Sequence, residues 1–285
     1  MLNAEEKAFE IAVWADRKIH TLYDNRQYEK KNAQMVLDCG LMTAILMFAA
    51  CSSGIQLTGV ERGRMLVDSR YDTVSDSSGM RFLAPYKAKV DSLMSPVVGH
   101  AAHYMEASRP ESDLSNLLAD ILMWGSRAFG EKPDFAVYNM GGIRAALSEG
   151  AVTIGNVLDV APFENKICFL TLDGDKVEEL FEQIAASGGE AVSHGVRLVI
   201  TKDGKLKSAL VGGKGIEKDR QYRIATLDYL AQGNDGLEAF KDKTGVVSPK
   251  SEENNVRHII ENYFREQEKN GRPVESRVEG RIVVE

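Results

Sequence analysis

The chain has 285 residues, 44% of them hydrophobic and 27% charged, enough apolar side chain for a packed core and too much for global disorder. The formal net charge is −7 and no basic stripe appears, which argues against a nucleic-acid partner, while a small anion needs only one or two local arginines. Three widely spaced cysteines, Cys39, Cys51 and Cys168, form no CxxC pair, so neither a disulfide framework nor a zinc knuckle is expected.

In chain order, residues 1–34 are polar and read as an extension that precedes the native start, with Met35 as the candidate initiator. The apolar run from Gly40 to Ala50, too short to span a bilayer core of about 30 Å, leads into Phe48-Ala49-Ala50-Cys51. Residues 35–51 thus resemble a lipoprotein signal peptide with Cys51 as the lipidated residue, which implies an exported, membrane-anchored protein; the alternative is a buried helix of a cytosolic one. Residues 52–84 are rich in Ser, Gly and Asp and read as a linker.

Regular patterning begins at Pro85. Helical spacing covers 86–94, an extended segment 96–105, and a helix 113–129 with Asp113 as its N-cap. Strands are expected at 135–138, 166–171, 196–200, 206–211, 222–226 and 277–284, and helices at 173–186 and 253–267. Gly212-Gly213-Lys214-Gly215 reads as a hairpin turn. The order gives one mixed α/β (α+β) domain over 85–285 without a strict βαβ repeat.

Three segments carry chemistry. Phe135-Ala-Val-Tyr138 runs into Asn139-Met140-Gly141-Gly142-Ile143-Arg144, where glycines permit close backbone approach and the guanidinium suits a phosphate or carboxylate. Pro162-Phe163 sits at a strand entrance, as a core plug or a stacking platform. Tyr229-Leu-Ala-Gln-Gly233-Asn-Asp235-Gly236 places an aromatic and an acid around a turn. Each alone is most often structural. His100 and His103, three apart on an extended segment, point to opposite faces and are read as structural rather than as a metal pair.

Taken in order, these segments resemble the signature of the C-terminal, substrate-binding domain of 5'-nucleotidases and UDP-sugar hydrolases, and Asn116-Leu117 with Asp120 matches the helix expected upstream. Ser115, Tyr229 and Asn234 depart from the residues usual there. The resemblance implies a nucleobase sandwiched by Phe163 and Tyr229, a base edge bonded by Asn139, ribose hydroxyls held by Asp235, and phosphates facing Arg144 and Arg109, with Gly141, Gly142 and Gly233 shaping the backbone. The family's hydrolysis uses two metals in a separate metallophosphoesterase domain. None of the five histidines, His20, His100, His103, His194 and His258, stands in such a metal motif, so no metal or other cofactor is expected in this chain. The resemblance then implies an AMP-like nucleotide or nucleoside as ligand, and a separately encoded metallophosphoesterase as the partner that carries the divalent metals. A free-standing nucleoside or nucleotide binder and an inert remnant are the alternatives.

Overall fold

The computed structural model describes residues 59–69 and 76–285, so the Cys51 segment lies outside the described residues. The chain divides into a unit ending at Val74, whose described residues are exposed, and a unit from Ser75 to Glu285.

The second unit opens with helix α1 (Ser77–Met94), which starts well before the predicted position because the Asp76 carboxylate caps the amides of Ser78 and Gly79; Pro85 lies inside it. Strand β1 (Val97–Ala101) follows, then α2 (Asp113–Gly125). The N-cap of α2 is Ser112, not Asp113: Ser112 and Ser115 exchange bonds in a capping box, which leaves Asp113 in the first turn. The predicted continuation to 129 is a 3₁₀ turn, Ser126–Phe129, ended by Gly130 at φ 67°. Next come β2 (Phe135–Tyr138), β3 (Gly150–Thr153), α3 (Ile154–Val160), β4 (Ile167–Asp173), α4 (Gly174–Ala186), β5 (Ala191–Val192), β6 (Val196–Ile200), β7 (Leu206–Val211), β8 (Lys214–Gly215), β9 (Gln221–Leu227), β10 (Thr244–Val247), α5 (Val256–Lys269) and β11 (Ile282–Val284). The last strand is shorter than the spacing predicts, and the Gly212–Gly213 turn joins β7 to β8 as an antiparallel hairpin.

Three sheets result: β1–β3, the order β10–β4–β9–β2–β5, and the order β11–β6–β7–β8. In the five-stranded sheet β2 runs parallel to β9, while β4 pairs antiparallel with β9 and β5 with β2. All four residues of β2 are buried, which requires cover on both faces. Helix α2 packs on β2, β5 and α5, and Phe181 of α4 lies 5.3 Å from the Phe135 ring.

One end of the β2–β9 pair is clamped by charge. The Asp134 carboxylate accepts from the Arg223 amide at 2.7 Å and pairs with Arg220, and the Asp134 amide donates to the Arg223 carbonyl at 2.6 Å. Arg223 in turn makes a two-point fork with Glu131, at 2.8 and 2.6 Å. At the domain's other edge, the fully buried Arg281 forks onto Asp120 at 3.0 and 2.7 Å and donates to the Val192 carbonyl at 2.8 Å. Glu111 accepts from the amides of Glu279 and Arg281, both at 2.7 Å, and Asn116 donates to the Arg277 carbonyl at 2.9 Å. The helix residues Asn116 and Asp120 therefore clasp the C-terminal segment.

Two predictions follow from these clamps. Arg281→Met strands the buried acceptors around it and lowers unfolding free energy by about 3–5 kcal/mol, read as a reduced urea midpoint. Arg223 holds the Glu131 carboxyl below its ordinary range, so its contribution is present at neutral pH and is lost as pH falls through the depressed value. Glu131→Gln therefore costs about 1–3 kcal/mol at pH 7, a difference that shrinks toward zero in acid.

Candidate functional site

The strand register decides where the chemistry gathers. Ala136 pairs with Ala225 in the parallel β2–β9 ladder, so the loop beginning at Asn139 and the turn beginning at Asp228 leave the sheet at the same end. Ile167 pairs with Leu227, so the segment carrying Phe163 enters at that end too, and mutual bonds between Lys166 and Asp228, both 2.9 Å, hold the two together. Tyr138 pairs with Ala191, which brings Glu190 to the same edge. The Arg144 amide donates to the Val160 carbonyl at 2.9 Å, tying the glycine loop to the segment before Phe163. The carboxyl ends of parallel strands are where open α/β sheets ordinarily receive ligands.

Asp235 joins the pieces. Its Oδ2 accepts from Asn139 Nδ2 at 2.7 Å and its Oδ1 from the Tyr229 hydroxyl at 2.8 Å. That bond pushes the Tyr229 phenol above its ordinary range. To reach both partners Asp235 adopts φ 57°, and among the described residues it alone of the non-glycines is left-handed. Gly233, at φ 84°, prepares that turn. Asn139 is buried, and its Oδ1 has no hydrogen-bond partner. Gly141 lies beside this group: a Cβ there would sit 3.7 Å from Asp235 Oδ2.

The two aromatics differ from core residues. Phe163 is 50% exposed and Tyr229 38%, and neither belongs to a close ring pair among the described residues. Phe163 is therefore not the core plug that its position after a proline allows. The two arginines also differ. Arg144 is exposed, with one long contact of 3.4 Å to the Gly141 carbonyl. Arg109 is held from two sides: its Nε donates to the Gly189 carbonyl at 2.8 Å, and its Nη2 pairs with Glu190.

Glu190 is the residue that the sequence does not disclose. An acid after two glycines looks like any surface turn, yet it is 2% exposed and accepts the Met140 amide at 2.5 Å from below the glycine loop. Burial pushes its carboxyl up, and the nearby Asp235 charge adds to that, against the opposing effect of Met140 and Arg109. His100 and His103 lie apart from this edge, His100 against Glu268 at 2.8 Å and His103 against Asp113 at 3.6 Å.

The glycines make a sharp prediction. A Cβ on Gly142 would meet Asn139 Oδ1 at 2.5 Å, whereas one on Gly141 has ordinary room. Gly142→Ala should cost about 1–3 kcal/mol and lower Tm by several degrees, because the Asn139 amide must leave Asp235. Gly141→Ala, measured by the same thermal scan, should leave Tm nearly unchanged.

A family profile described as 5'-nucleotidase, C-terminal domain, matches residues 97–242, which includes every residue of the cluster. The 5'-nucleotidase of Vibrio cholerae is 29% identical over 182 residues, covering 61% of this chain and 32% of that protein. Protein UshA of Escherichia coli is 28% identical over 170 residues, covering 58% of this chain and 31% of that one. The chain thus spans about a third of the length of these relatives. The crystal structure of a 5'-nucleotidase precursor from Thermus thermophilus superposes with a TM-score of 0.63 at 26% identity, over 74% of this chain and 43% of that one. NAD nucleotidase of Haemophilus influenzae, at 17% identity and a TM-score of 0.55, covers 81% of this chain and 47% of its own, and shares the fold. This chain belongs to the 5'-nucleotidase C-terminal domain family.

Proposed function

We propose that this chain is the nucleotide-recognition component of a split 5'-nucleotidase, binding an AMP-like nucleotide or nucleoside for a separately encoded metallophosphoesterase that carries the divalent metals and the hydrolysis. The observation that carries the reading is the exposure of the Phe163 and Tyr229 rings at the sheet end where Asp235 joins Asn139 to Tyr229. Vicinal ribose hydroxyls suit the Asp235 carboxylate, the two open rings offer faces for stacking, and Asn139 beside them is the proposed partner of the base edge. Arg144 is free to meet a phosphate as a planar fork. The relatives carry the name 5'-nucleotidase or UshA and are about three times as long as the portion matched here.

The second reading is a free-standing nucleoside- or nucleotide-binding lipoprotein, favoured by the fact that Asn139, Tyr229 and Asp235 are already bonded together within one chain. In either case Cys51 is the proposed lipid anchor that holds the protein to an extracytoplasmic membrane face. No helix among the described residues is long and apolar enough to cross a membrane.

Isothermal titration of the full chain with AMP, adenosine and a nucleotide sugar tests the site. Stacking is worth about 1–3 kcal/mol per base, so Phe163→Ala should weaken binding about ten- to hundredfold without lowering Tm, because the ring is half exposed. An unchanged affinity in that folded variant removes the stacking role. Mixing the chain with its metallophosphoesterase should raise nucleotidase activity above that of the phosphatase alone. No increase on mixing, with binding intact, selects the free-standing binder.

A further inference from the structure

Arg109 and Arg144 are the two cations that the sequence sets toward a phosphate, and the fold treats them in opposite ways. Both side chains are exposed, but the one polar contact of Arg144 is a 3.4 Å approach to a carbonyl. Arg109 has its Nε on the Gly189 carbonyl at 2.8 Å and its Nη2 on Glu190, whose side chain is 2% exposed. The other oxygen of Glu190 takes the Met140 amide at 2.5 Å, directly after Asn139. Gly189 is packed so closely against Pro110 that an added Cβ would meet the Pro110 carbonyl oxygen at 2.5 Å, so no side chain fits there without displacing backbone.

We propose that Glu190 determines which part of its ligand this site reads: by pairing its own buried carboxylate with the half-exposed Arg109 guanidinium it withdraws that cation from phosphate recognition, so the site selects the nucleoside moiety and leaves the phosphate to Arg144 alone. The inference rests on the nucleotide-binding reading above. Its physical basis is local charge. The Asn139–Gly142 loop lies between two carboxylates, Glu190 beneath it and Asp235 bonded to Asn139, close enough that Asp235 raises the Glu190 titration. Arg109 cancels one of those charges. A phosphate placed at Arg109 would face both acids, and the guanidinium would have to leave a partner that is already desolvated. A neutral base and ribose meet no such penalty, and the ribose hydroxyls can donate to Asp235. Glu190 is thus a specificity-determining residue that acts through Arg109, and it need not touch the ligand.

Calorimetry of the full-length chain with adenosine and AMP separates this from a plain loop prop. Glu190→Gln is nearly isosteric and leaves the Arg109 charge uncancelled. It should strengthen AMP relative to adenosine by about tenfold, a shift of about 1.4 kcal/mol. The double variant Arg109→Met with Glu190→Gln removes both charges together and should return the AMP-to-adenosine preference to that of the parent. Equal change for both ligands in Glu190→Gln would overturn the proposal, since a prop for the loop affects base and phosphate alike. A double variant with less AMP preference than the parent would overturn it too, because Arg109 would then already serve the phosphate. Failure of the parent to bind adenosine and AMP at all is a separate outcome: it sinks the nucleotide-binding reading and this inference with it.

Discussion

The parallel pairing of β2 with β9 is the constraint on which the rest of this domain depends. It is held at its amino end by Asp134, whose carboxylate pairs with Arg220, just before β9, and accepts from the Arg223 amide within it. Within the sheet, Thr226 donates to the Val137 carbonyl at 2.9 Å and Ser193 bonds both ways with Ala136, so side chains add to the ladder bonds of the buried strand. Because the pair is parallel, both strands release their following loops at one end. An antiparallel pair would have sent Asn139 and Tyr229 to opposite edges.

Once the loops are together, a single carboxylate fixes their mutual position. Asp235 accepts a left-handed backbone so that its two oxygens reach Asn139 and Tyr229. Strain of this kind costs about 1–3 kcal/mol and persists only where surrounding structure over-determines it. Here the over-determination comes from Gly233 before it, from the Asn234 side chain bonded to the Tyr229 carbonyl at 2.8 Å, and from buried Leu230 and Leu237 on either side. Glu190 completes the arrangement from below. Charge at this edge is therefore a property of four side chains, Arg109, Arg144, Glu190 and Asp235, on four separate segments.

Much of this was legible in the sequence because it is local or periodic. The apolar face of α2, the buried run of β2 and the hairpin at Gly212 follow from spacing and turn chemistry. The Asn139, Phe163 and Tyr229 segments resemble a family signature, and the profile match bears out the family. What escaped was short, exposed or capped by an unexpected residue: β10, exposed along its length, and β5, two residues long, have no periodic signal, and α1 begins at an aspartate cap ahead of a proline that reads as a boundary.

By itself the sequence determined the mixed α/β class, the family, and which residues could bear chemistry, since these depend on residue type and on spacing along the chain. Only the tertiary structure decided which of those residues meet. Glu190 and Arg109 are far apart in sequence and pair because β5 lies against β2. Asn116 and Asp120, on the helix that the signature expects upstream, meet the C-terminal segment and Arg281. The reason is physical: a side chain's charge is fixed by its identity, but its partner is fixed by strand register, and register is settled by burial over the whole sheet.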